Sequence, residues 1–486
     1  MAAEVTEADR TAERTRSGAG PWAVLAIACA GQFMVVLDVS VVNVALPSIR
    51  RGLGFSPVGL QWVVTAYSLV FAGFLLLGGR LADLYGRKRI FTLGLALFSA
   101  ASLVGGLADT PALLVAARAV QGLGAAVLAP ATLTLLTTTF TEPEHRARAL
   151  AAWTAVGAAG GAAGNLVGGV LTQYLSWRWT LLINAPIGAV VILLTASLLP
   201  GRGPGRDAQR LDVRGAVLAT VGLTSLVYGI SQADPRGWSD PVTLVALTGG
   251  AAVLCLFLLA EARLTRSPLL PLRLFGSRSV SAGNGVMVLV GAAFIPMWYF
   301  LSLSMQNVLH YSALRTGVAY IPHTTMIVVG SRLAPRLMKL IGHRALIMSG
   351  AAVSAAGFLW QSRLAPDSGY LAGILGPALL MCLGLGLLMT PVTAVVTSGV
   401  AAPDAGIASG LMNATRQVGG SLGLAVLATV AGDVAGAAGL ARSYGHAFEV
   451  IAGILVAVIL LAGVLPAGRP EAETEAEHEP ESSAAR

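Results

Sequence analysis

The chain has 486 residues, of which 55% are hydrophobic and only 12% are charged. Soluble domains carry about one quarter charged residues, so this composition excludes an ordinary soluble protein and indicates an integral membrane protein. The net charge of +8 does not indicate nucleic-acid binding, because the arginines cluster in short loops between apolar stretches, where membrane orientation and anionic lipid headgroups explain them.

Apolar stretches recur along almost the whole chain. Each is about 20 residues long, which is enough to cross a bilayer as a helix. The loops with most of the basic residues share one side of the membrane, and the positive-inside rule places that side, with both termini, in the cytoplasm of an inner or plasma membrane protein. We predict an all-α integral membrane protein with about fourteen spans, near residues 22–47, 58–79, 90–108, 112–139, 148–172, 179–199, 213–232, 241–261, 279–302, 314–335, 345–363, 370–395, 406–432 and 447–466.

The predicted spans divide into two related halves. Residues 80–88 resemble residues 336–344, and each copy lies between two apolar stretches, although Asp83 of the first copy is replaced by Lys339 in the second. A repeat of this kind is typical of transporters built from two six-helix bundles. We therefore divide the chain into a disordered N-terminus, a first bundle, a linker with two additional helices, a second bundle and an acidic tail, at residues 1–20, 21–199, 200–262, 263–466 and 467–486.

Asp38 is an acidic residue inside the first apolar stretch. A charge at that depth costs about 3 kcal/mol or more, so it is rarely present without a function. A membrane-buried carboxyl group that gains and loses a proton is what a proton-driven transporter needs. The alternative is a structural hydrogen-bond acceptor that ties the first span to a neighbour. We favour the first interpretation and expect Asp38 to face a water-filled chamber between the two bundles.

Four segments carry a resemblance to a known family. They are residues 37–47 (LDVSVVNVALP), 79–89 (GRLADLYGRKR), 177–188 (WRWTLLINAPIG) and 409–420 (SGLMNATRQVGG). With these segments the chain resembles the fourteen-span drug:proton antiporter branch of the major facilitator superfamily over residues 22–466. The resemblance implies a fold of two six-helix bundles plus two extra central helices. It also implies proton-coupled export of an antibiotic or amphiphilic drug by alternating access, in the producer of a natural product or as a general drug pump.

The resemblance further implies roles for two charged residues in proton coupling. Asp38 is implied to exchange its proton for substrate, and Arg118, in the fourth predicted span, to tune the protonation of a nearby acid. A buried guanidinium keeps its charge and favours the ionised form of a carboxyl partner. The alternative for Arg118 is a residue near the end of its span that extends outward to the membrane interface.

The fifth predicted span is rich in glycine. Gly160, Gly164 and Gly168 follow each other at intervals of four residues, which gives a flat helix face that another helix can approach closely. In the family a proline follows the central glycine, whereas here Gly164 is followed by Asn165. The glycines therefore support close packing in which the two helices can slide past each other. The hinge that the family's proline implies is missing. Asn165 is either a substrate contact or an interhelical hydrogen bond.

The loop at residues 79–89 is predicted to form a cytoplasmic gate. By resemblance, Asp83 docks against the start of a helix in the other half, near Asp404, where a carboxylate is attracted to exposed amides and to the positive end of the helix dipole. This contact would close the cytoplasmic side in one state. A pure orientation signal is the alternative for the basic residues of the loop. The remaining gate residues are Gly79, Arg80, Gly86 and Arg87.

Other polar residues within the spans are predicted to line a substrate cavity. His323 follows a proline where a broken helix could expose backbone groups to a cavity, although a lone histidine is more often a packing residue. The mid-span charges are Asp38 against Arg118 and Arg416, which favours neutral, zwitterionic or anionic amphiphiles over dications. The predicted cavity residues are Asn43, Gln121, Asn165, His323, Asn413, Arg416 and Gln417.

The sequence disfavours other functional classes. Neither of the two lysines follows a glycine, so the chain has no P-loop for ATP, and no catalytic or metal-ligating cluster is found near a predicted membrane surface. We predict a transporter and not an enzyme, driven by the proton gradient without a cofactor. Its expected partners are a small amphiphilic substrate, protons and membrane lipids, with no nucleic acid, and we expect a functional monomer. The alternative function is a facilitator or importer of a small nutrient or metabolite.

Overall fold

This computed structural model describes most of the chain. The described residues are 20–199, 211–263, 265, 268–398, 400, 404–432 and 434–465. They form helices joined by short turns and contain no strand. The predicted acidic tail at 467–486, the basic linker at 200–210 and, apart from Gly20, the predicted N-terminal tail lie outside the described residues.

The helices are labelled here in chain order, leaving out those of five residues or fewer. They are α1 (Pro21–Leu53), α2 (Trp62–Tyr85), α3 (Arg87–Gly106), α4 (Pro111–Thr139), α5 (Pro143–Tyr174), α6 (Asn184–Leu198), α7 (Val213–Arg236), α8 (Pro241–Arg263), α9 (Arg278–Leu303), α10 (Ala313–Ala319), α11 (Ile321–Gln361), α12 (Gly376–Ser398), α13 (Ala405–Ala431) and α14 (Ala437–Ala462).

Eleven helical segments of the described chain are long and apolar enough to cross a membrane, and they include α1 to α9, α12 and α14. The spans predicted near 314–335 and 345–363 fall largely within α11, which bends at Gly342 (φ 77°, ψ 168°). The span predicted near 406–432 corresponds to α13. The all-helical membrane architecture is therefore confirmed, and the count of fourteen stays a prediction.

The helices pack as two groups. In the first half, α1 packs on α4, α5 and α6, and α4 also packs on α2 and α3. In the second half, α9 packs on α12, α13 and α14, and α11 packs on α12 and α14. The halves meet mainly through two helix pairs, α2 with α13 and α5 with α10, and α1 also contacts α9. Any movement of one half against the other must therefore act on these contacts.

The additional helices α7 and α8 pack against each other, and α7 contacts both halves. On one side the Gln61 amide donates a buried hydrogen bond of 2.9 Å to the Ser231 hydroxyl of α7. On the other side the Thr429 hydroxyl of α13 donates to the carbonyl of Ile230 at 3.2 Å. The insert thus lies across the junction of α2 and α13.

Two acidic side chains meet where α7 begins and α8 ends. Asp212 accepts a hydrogen bond from the Gly215 amide at 2.8 Å, and Glu261 accepts one from the Leu270 amide at 2.9 Å. Their other oxygens, Asp212 Oδ2 and Glu261 Oε1, are buried without a hydrogen-bond partner. They lie 2.7 and 2.6 Å from the position that a Cβ on Gly215 would occupy. Two ionised carboxylates this close repel each other.

Glu261→Gln is expected to stabilise this junction. One oxygen of the side chain can still accept from the Leu270 amide, while the introduced amide nitrogen can donate to Asp212 Oδ2, which now has no donor. A satisfied buried hydrogen bond contributes about 1 kcal/mol. The apparent thermal unfolding midpoint of the purified protein in detergent should rise. Glu449→Gln, at an exposed position, is the matched control, and a lower midpoint for Glu261→Gln alone would contradict the expectation.

Candidate functional site

Asp38 and Arg118 form a buried ion pair inside the first half. Asp38 lies on α1 and is 0% exposed, and Arg118 lies on α4 and is 2% exposed. Arg118 Nη1 is 2.5 Å from Asp38 Oδ2. The family resemblance predicts a role in proton coupling for both residues, and the structure brings them together. An end-of-span position extending outward to the interface is wrong for Arg118, because its guanidinium turns inward to this carboxylate.

Amide side chains complete the coordination of the carboxylate. Asp38 Oδ1 accepts hydrogen bonds from Gln121 Nε2 and from Asn184 Nδ2, both at 2.8 Å. Gln121 also accepts from Arg118 Nη1 at 2.7 Å. Both carboxylate oxygens therefore have donors, and the charge of Asp38 is balanced within the first half. We call these four residues, Asp38, Arg118, Gln121 and Asn184, the buried polar network.

The guanidinium of Arg118 is held by α2 as well. Its Nε donates to the carbonyl of Val63 at 3.0 Å, and its Cζ lies 4.5 Å from the ring centroid of Tyr67. A cation over an aromatic face is favourable, particularly where water is excluded. The network thus joins α1, α2, α4 and α6, and a change in the charge of Asp38 would act on four helices.

Asn184 is a site residue that is not among those predicted from the sequence. It is fully buried, and its amide also lies 3.0 Å from the Ser102 hydroxyl, which in turn donates to the carbonyl of Leu181 at 2.8 Å. The sequence feature that could have indicated it is an asparagine within an apolar stretch. It lies in the segment 177–188, which served above only as part of the family resemblance. A buried amide needs partners, and Nδ2 of Asn184 finds two here, whereas its Oδ1 is buried without a hydrogen-bond partner.

The expected exposure of Asp38 to a water-filled chamber is wrong for this conformation. Its side chain is enclosed by α1, α4 and α6, because three donors on the first half surround its two oxygens. Gln121, predicted to line the substrate cavity, is 1% exposed and belongs to the same network. Proton coupling by Asp38 and Arg118 stays a prediction, and it requires the network to open.

Three other predicted cavity residues are also buried. Asn43 on α1 and Asn165 on α5 are 7% and 3% exposed, and His323 near the start of α11 is 0% exposed. The ring of His323 packs beside Trp298 and Tyr320, and its Nδ1 is 3.1 Å from the carbonyl of Ala319. In this conformation His323 is therefore enclosed by aromatic rings, which fits the packing alternative.

The remaining predicted cavity residues lie on α13 and are partly buried. Asn413 Nδ2 donates to the carbonyl of Ser409 at 3.2 Å, and Asn413 Oδ1 accepts from Arg416 Nη2 at 3.4 Å. Gln417 follows on the same helix. This group belongs to the second half and is separate from the buried polar network.

The family is decided by comparison with known proteins. Residues 28–424 match the family described as Major Facilitator Superfamily. The chain belongs to this superfamily. The cephamycin export protein CmcT of Amycolatopsis lactamdurans is 54% identical over 462 residues, which are 93% of this chain and 94% of the relative. The puromycin resistance protein pur8 of Streptomyces alboniger is 42% identical over 471 residues, which are 93% of each chain.

Solved structures support the same fold. The POT family transporter PepTSo superposes with a TM-score of 0.67 at 11% identity, covering 95% of this chain and 99% of that one. The nucleoside transporter NupG gives a TM-score of 0.64 at 12% identity, covering 91% and 100%. At such low identity these structures show the fold alone. The family match and the two antibiotic export and resistance relatives place the chain in the drug-exporter branch of the major facilitator superfamily, as the motifs implied.

The glycine face of this superfamily member packs on α1. A Cβ on Gly160 would lie 3.2 Å from Phe33, one on Gly164 would lie 2.6 Å from Ser40, and one on Gly168 would lie 2.8 Å from Val41. The sequence predicted close packing of this face, and the structure shows that its partner is the helix that carries the buried carboxylate. A side chain on this face would push α5 away from α1.

The two halves also meet through glycines. These lie toward the side of the membrane at which α1 ends. A Cβ on Gly169 of α5 would lie 2.8 Å from the carbonyl oxygen of Ala313, and one on Gly317 of α10 would lie 2.3 Å from that of Asn165. Only glycine permits backbones to approach this closely. We call the pairing of Gly169 and Gly317 with the facing backbone the outer contact.

A polar contact between the halves lies on the same side of the membrane. The Gln306 amide, just beyond α9, donates to the carbonyl of Val44 on α1 at 2.8 Å. Val44 lies toward the end of α1, on the same side as the outer contact. The halves are therefore joined at this side in the present conformation.

The predicted cytoplasmic gate is only partly described. The side chain of Asp83 lies outside the described part, so its docking near Asp404 stays a prediction. Asp404 itself pairs with Arg273, with Arg273 Nη2 2.7 Å from Asp404 Oδ1. Arg80 Nη2 donates to the carbonyl of Pro268 at 2.9 Å, which ties the gate loop to the segment before α9.

The other gate residues form a turn between α2 and α3. Gly79 and Arg80 lie in the last turns of α2, Gly86 separates the helices with a φ of 91°, and Arg87 begins α3. A positive φ favours glycine at this corner. This geometry shows how the chain reverses direction between two helices. The role of these residues in gating stays a prediction.

Proposed function

We propose that this protein exports an antibiotic or amphiphilic drug across the cell membrane in exchange for protons. The observation that carries the proposal is the buried polar network, in which a carboxylate and a guanidinium are sequestered inside a membrane bundle. Such groups are costly at this depth and mark proton or substrate pathways. The two antibiotic export and resistance relatives support an antibiotic as the transported compound.

The network suggests how a proton would act. When Asp38 is ionised, its two oxygens hold Arg118, Gln121 and Asn184. When Asp38 is protonated, the ion pair is lost and one oxygen becomes a donor facing other donors, so the network must rearrange. Because the network joins four helices, its rearrangement would change how the first half packs and would couple proton entry to movement.

The outer contact supports alternating access. With both termini in the cytoplasm, as we propose from the distribution of basic loops, the side joined by Gly169 and Gly317 faces outward. The present conformation would then be closed to the outside. Release of the substrate would require the outer contact to separate while the cytoplasmic ends come together.

Transport in inside-out membrane vesicles tests this proposal. Vesicles that contain the protein and have an acidic interior should accumulate cephamycin or puromycin, and a protonophore should abolish that accumulation. Vesicles from cells without the protein are the control. Accumulation that survives collapse of the gradient would contradict proton coupling. Accumulation of neither compound would contradict this choice of substrates, and gradient-driven loss of compound from loaded vesicles would favour the importer alternative.

A further inference from the structure

The second half contains the guanidinium of Arg416, whose charge is not balanced by the buried polar network. Arg416 on α13 has one described side-chain acceptor, Asn413 Oδ1, at a long 3.4 Å, and its Nε is buried without a hydrogen-bond partner. No carboxylate of the described residues forms an ion pair with Arg416. Asp38 cannot serve, because its oxygens are held by partners in the first half.

Arg416 bonds to a residue on the face of α13 that borders both halves. Its hydrogen-bond partner Asn413 is on the face of α13 between Gly410 and Gly420, as counted at about 100° per residue. Gly410 lies against Leu76 of α2 in the first half, and Gly420 lies against α9 in the second half. Nη2 of Arg416, which bonds to Asn413, therefore lies beside the sector of α13 that separates its contacts with the two halves, while the backbone of Arg416 lies against Gly291 of α9.

A guanidinium in this state is suited to an anion. Arginine keeps its charge even when it is buried, and its planar fork matches a carboxylate with two parallel N–H donors. The Nε has no acceptor, and the bond from Nη2 to Asn413 is long enough to yield to a stronger acceptor. An anionic ligand would give both nitrogens a partner and would balance the charge.

We propose that Arg416 binds an anionic group of the exported compound, with a carboxylate as the best fit. This rests on the proposed export function and names the class of substrate, an amphiphile with an anionic group, which among the two compounds of the vesicle test selects cephamycin, a carboxylate, over puromycin, an amine. The first half then handles the proton through its internally balanced network, and the second half holds the charge of the substrate. Arg416 is a binding residue in this assignment and takes no part in proton exchange.

A matched pair of probes tests the assignment by binding alone. Dansyl-phenylalanine carries a carboxylate, and its methyl ester has the same scaffold without the charge. The purified full-length protein should bind the acid at least tenfold more tightly than the ester, as measured by dansyl fluorescence. Arg416→Gln should lose this preference while its affinity for the ester is unchanged, and Arg416→Lys should keep part of it because a point charge remains.

Arg442→Gln, at an exposed position on α14, is the control and should bind like the parent protein. Thermal unfolding of each variant reports whether it is folded. A folded Arg416→Gln that retains the preference overturns the assignment, and so does a parent protein that does not bind the acid more tightly than the ester. Failure of antibiotic transport in vesicles would instead overturn the proposed function, since the binding readout does not depend on it.

Discussion

Asp38→Asn is expected to abolish export driven by the proton gradient. Asparagine has nearly the same shape but cannot exchange a proton, and it leaves Arg118 as a buried cation without its anion. Removing one partner of a buried ion pair costs about 3–5 kcal/mol. Uptake into inside-out vesicles with an acidic interior should fall to the level of vesicles without the protein, and the thermal unfolding midpoint should also fall.

A double variant separates the loss of transport from the loss of stability. Asp38→Asn combined with Arg118→Gln removes both charges, so the stability should return to within about 1 kcal/mol of the parent while transport stays absent. Asp109→Asn, at an exposed position between α3 and α4, is the matched control. Gradient-driven uptake by Asp38→Asn would show that the coupling proton is carried elsewhere in the chain.

Gly317→Val should force the outer contact apart. The added Cβ would lie 2.3 Å from the backbone oxygen of Asn165, a contact that a rotamer change cannot relieve because both atoms are fixed by backbone. We expect the population to shift toward a state open at this side and the transport rate to fall about tenfold, which corresponds to about 1.4 kcal/mol.

The shift can be measured by labelling from outside the cell. In a background where Cys29, Cys255 and Cys382 are replaced, Gln306→Cys reports access to the seam between the halves. Gly317→Val should increase its labelling by a membrane-impermeant maleimide. Gly453→Val is the matched control, since a Cβ there meets no atom within 4 Å. Equal labelling in both variants would mean that the outer contact does not hold the halves together.

The helices were predictable because they are local. An apolar stretch in a bilayer must satisfy its backbone by forming a helix, so α1 to α9 could be located from composition alone. The bend in α11 was harder to predict, because Gly342 interrupts a helix that continues on both sides. Whether one or two spans result depends on how the two parts of the helix pack. The motif segments identified the superfamily, and the comparisons confirmed it.

The partners in the site were not predictable in the same way. Asp38 and Arg118 could be selected because a charge inside an apolar stretch is conspicuous, but no sequence pattern joins them to Asn184, which lies 146 residues from Asp38. The expected water-filled surroundings of Asp38 were wrong for a related reason. The exposure of a buried carboxylate to water depends on the hydrogen-bond donors that neighbouring helices supply, and a hydropathy profile contains no information about those donors.

Composition, hydropathy and short motifs are sufficient to identify a helical membrane protein of the major facilitator superfamily that carries a carboxylate and a guanidinium within its apolar stretches. Three further facts come from the packed helices: the carboxylate is enclosed within one half, Arg416 forms no ion pair with a carboxylate of the described residues, and the halves touch through Gly169 and Gly317. These facts depend on contacts between helices distant in the chain, whose rotation and depth are fixed by packing.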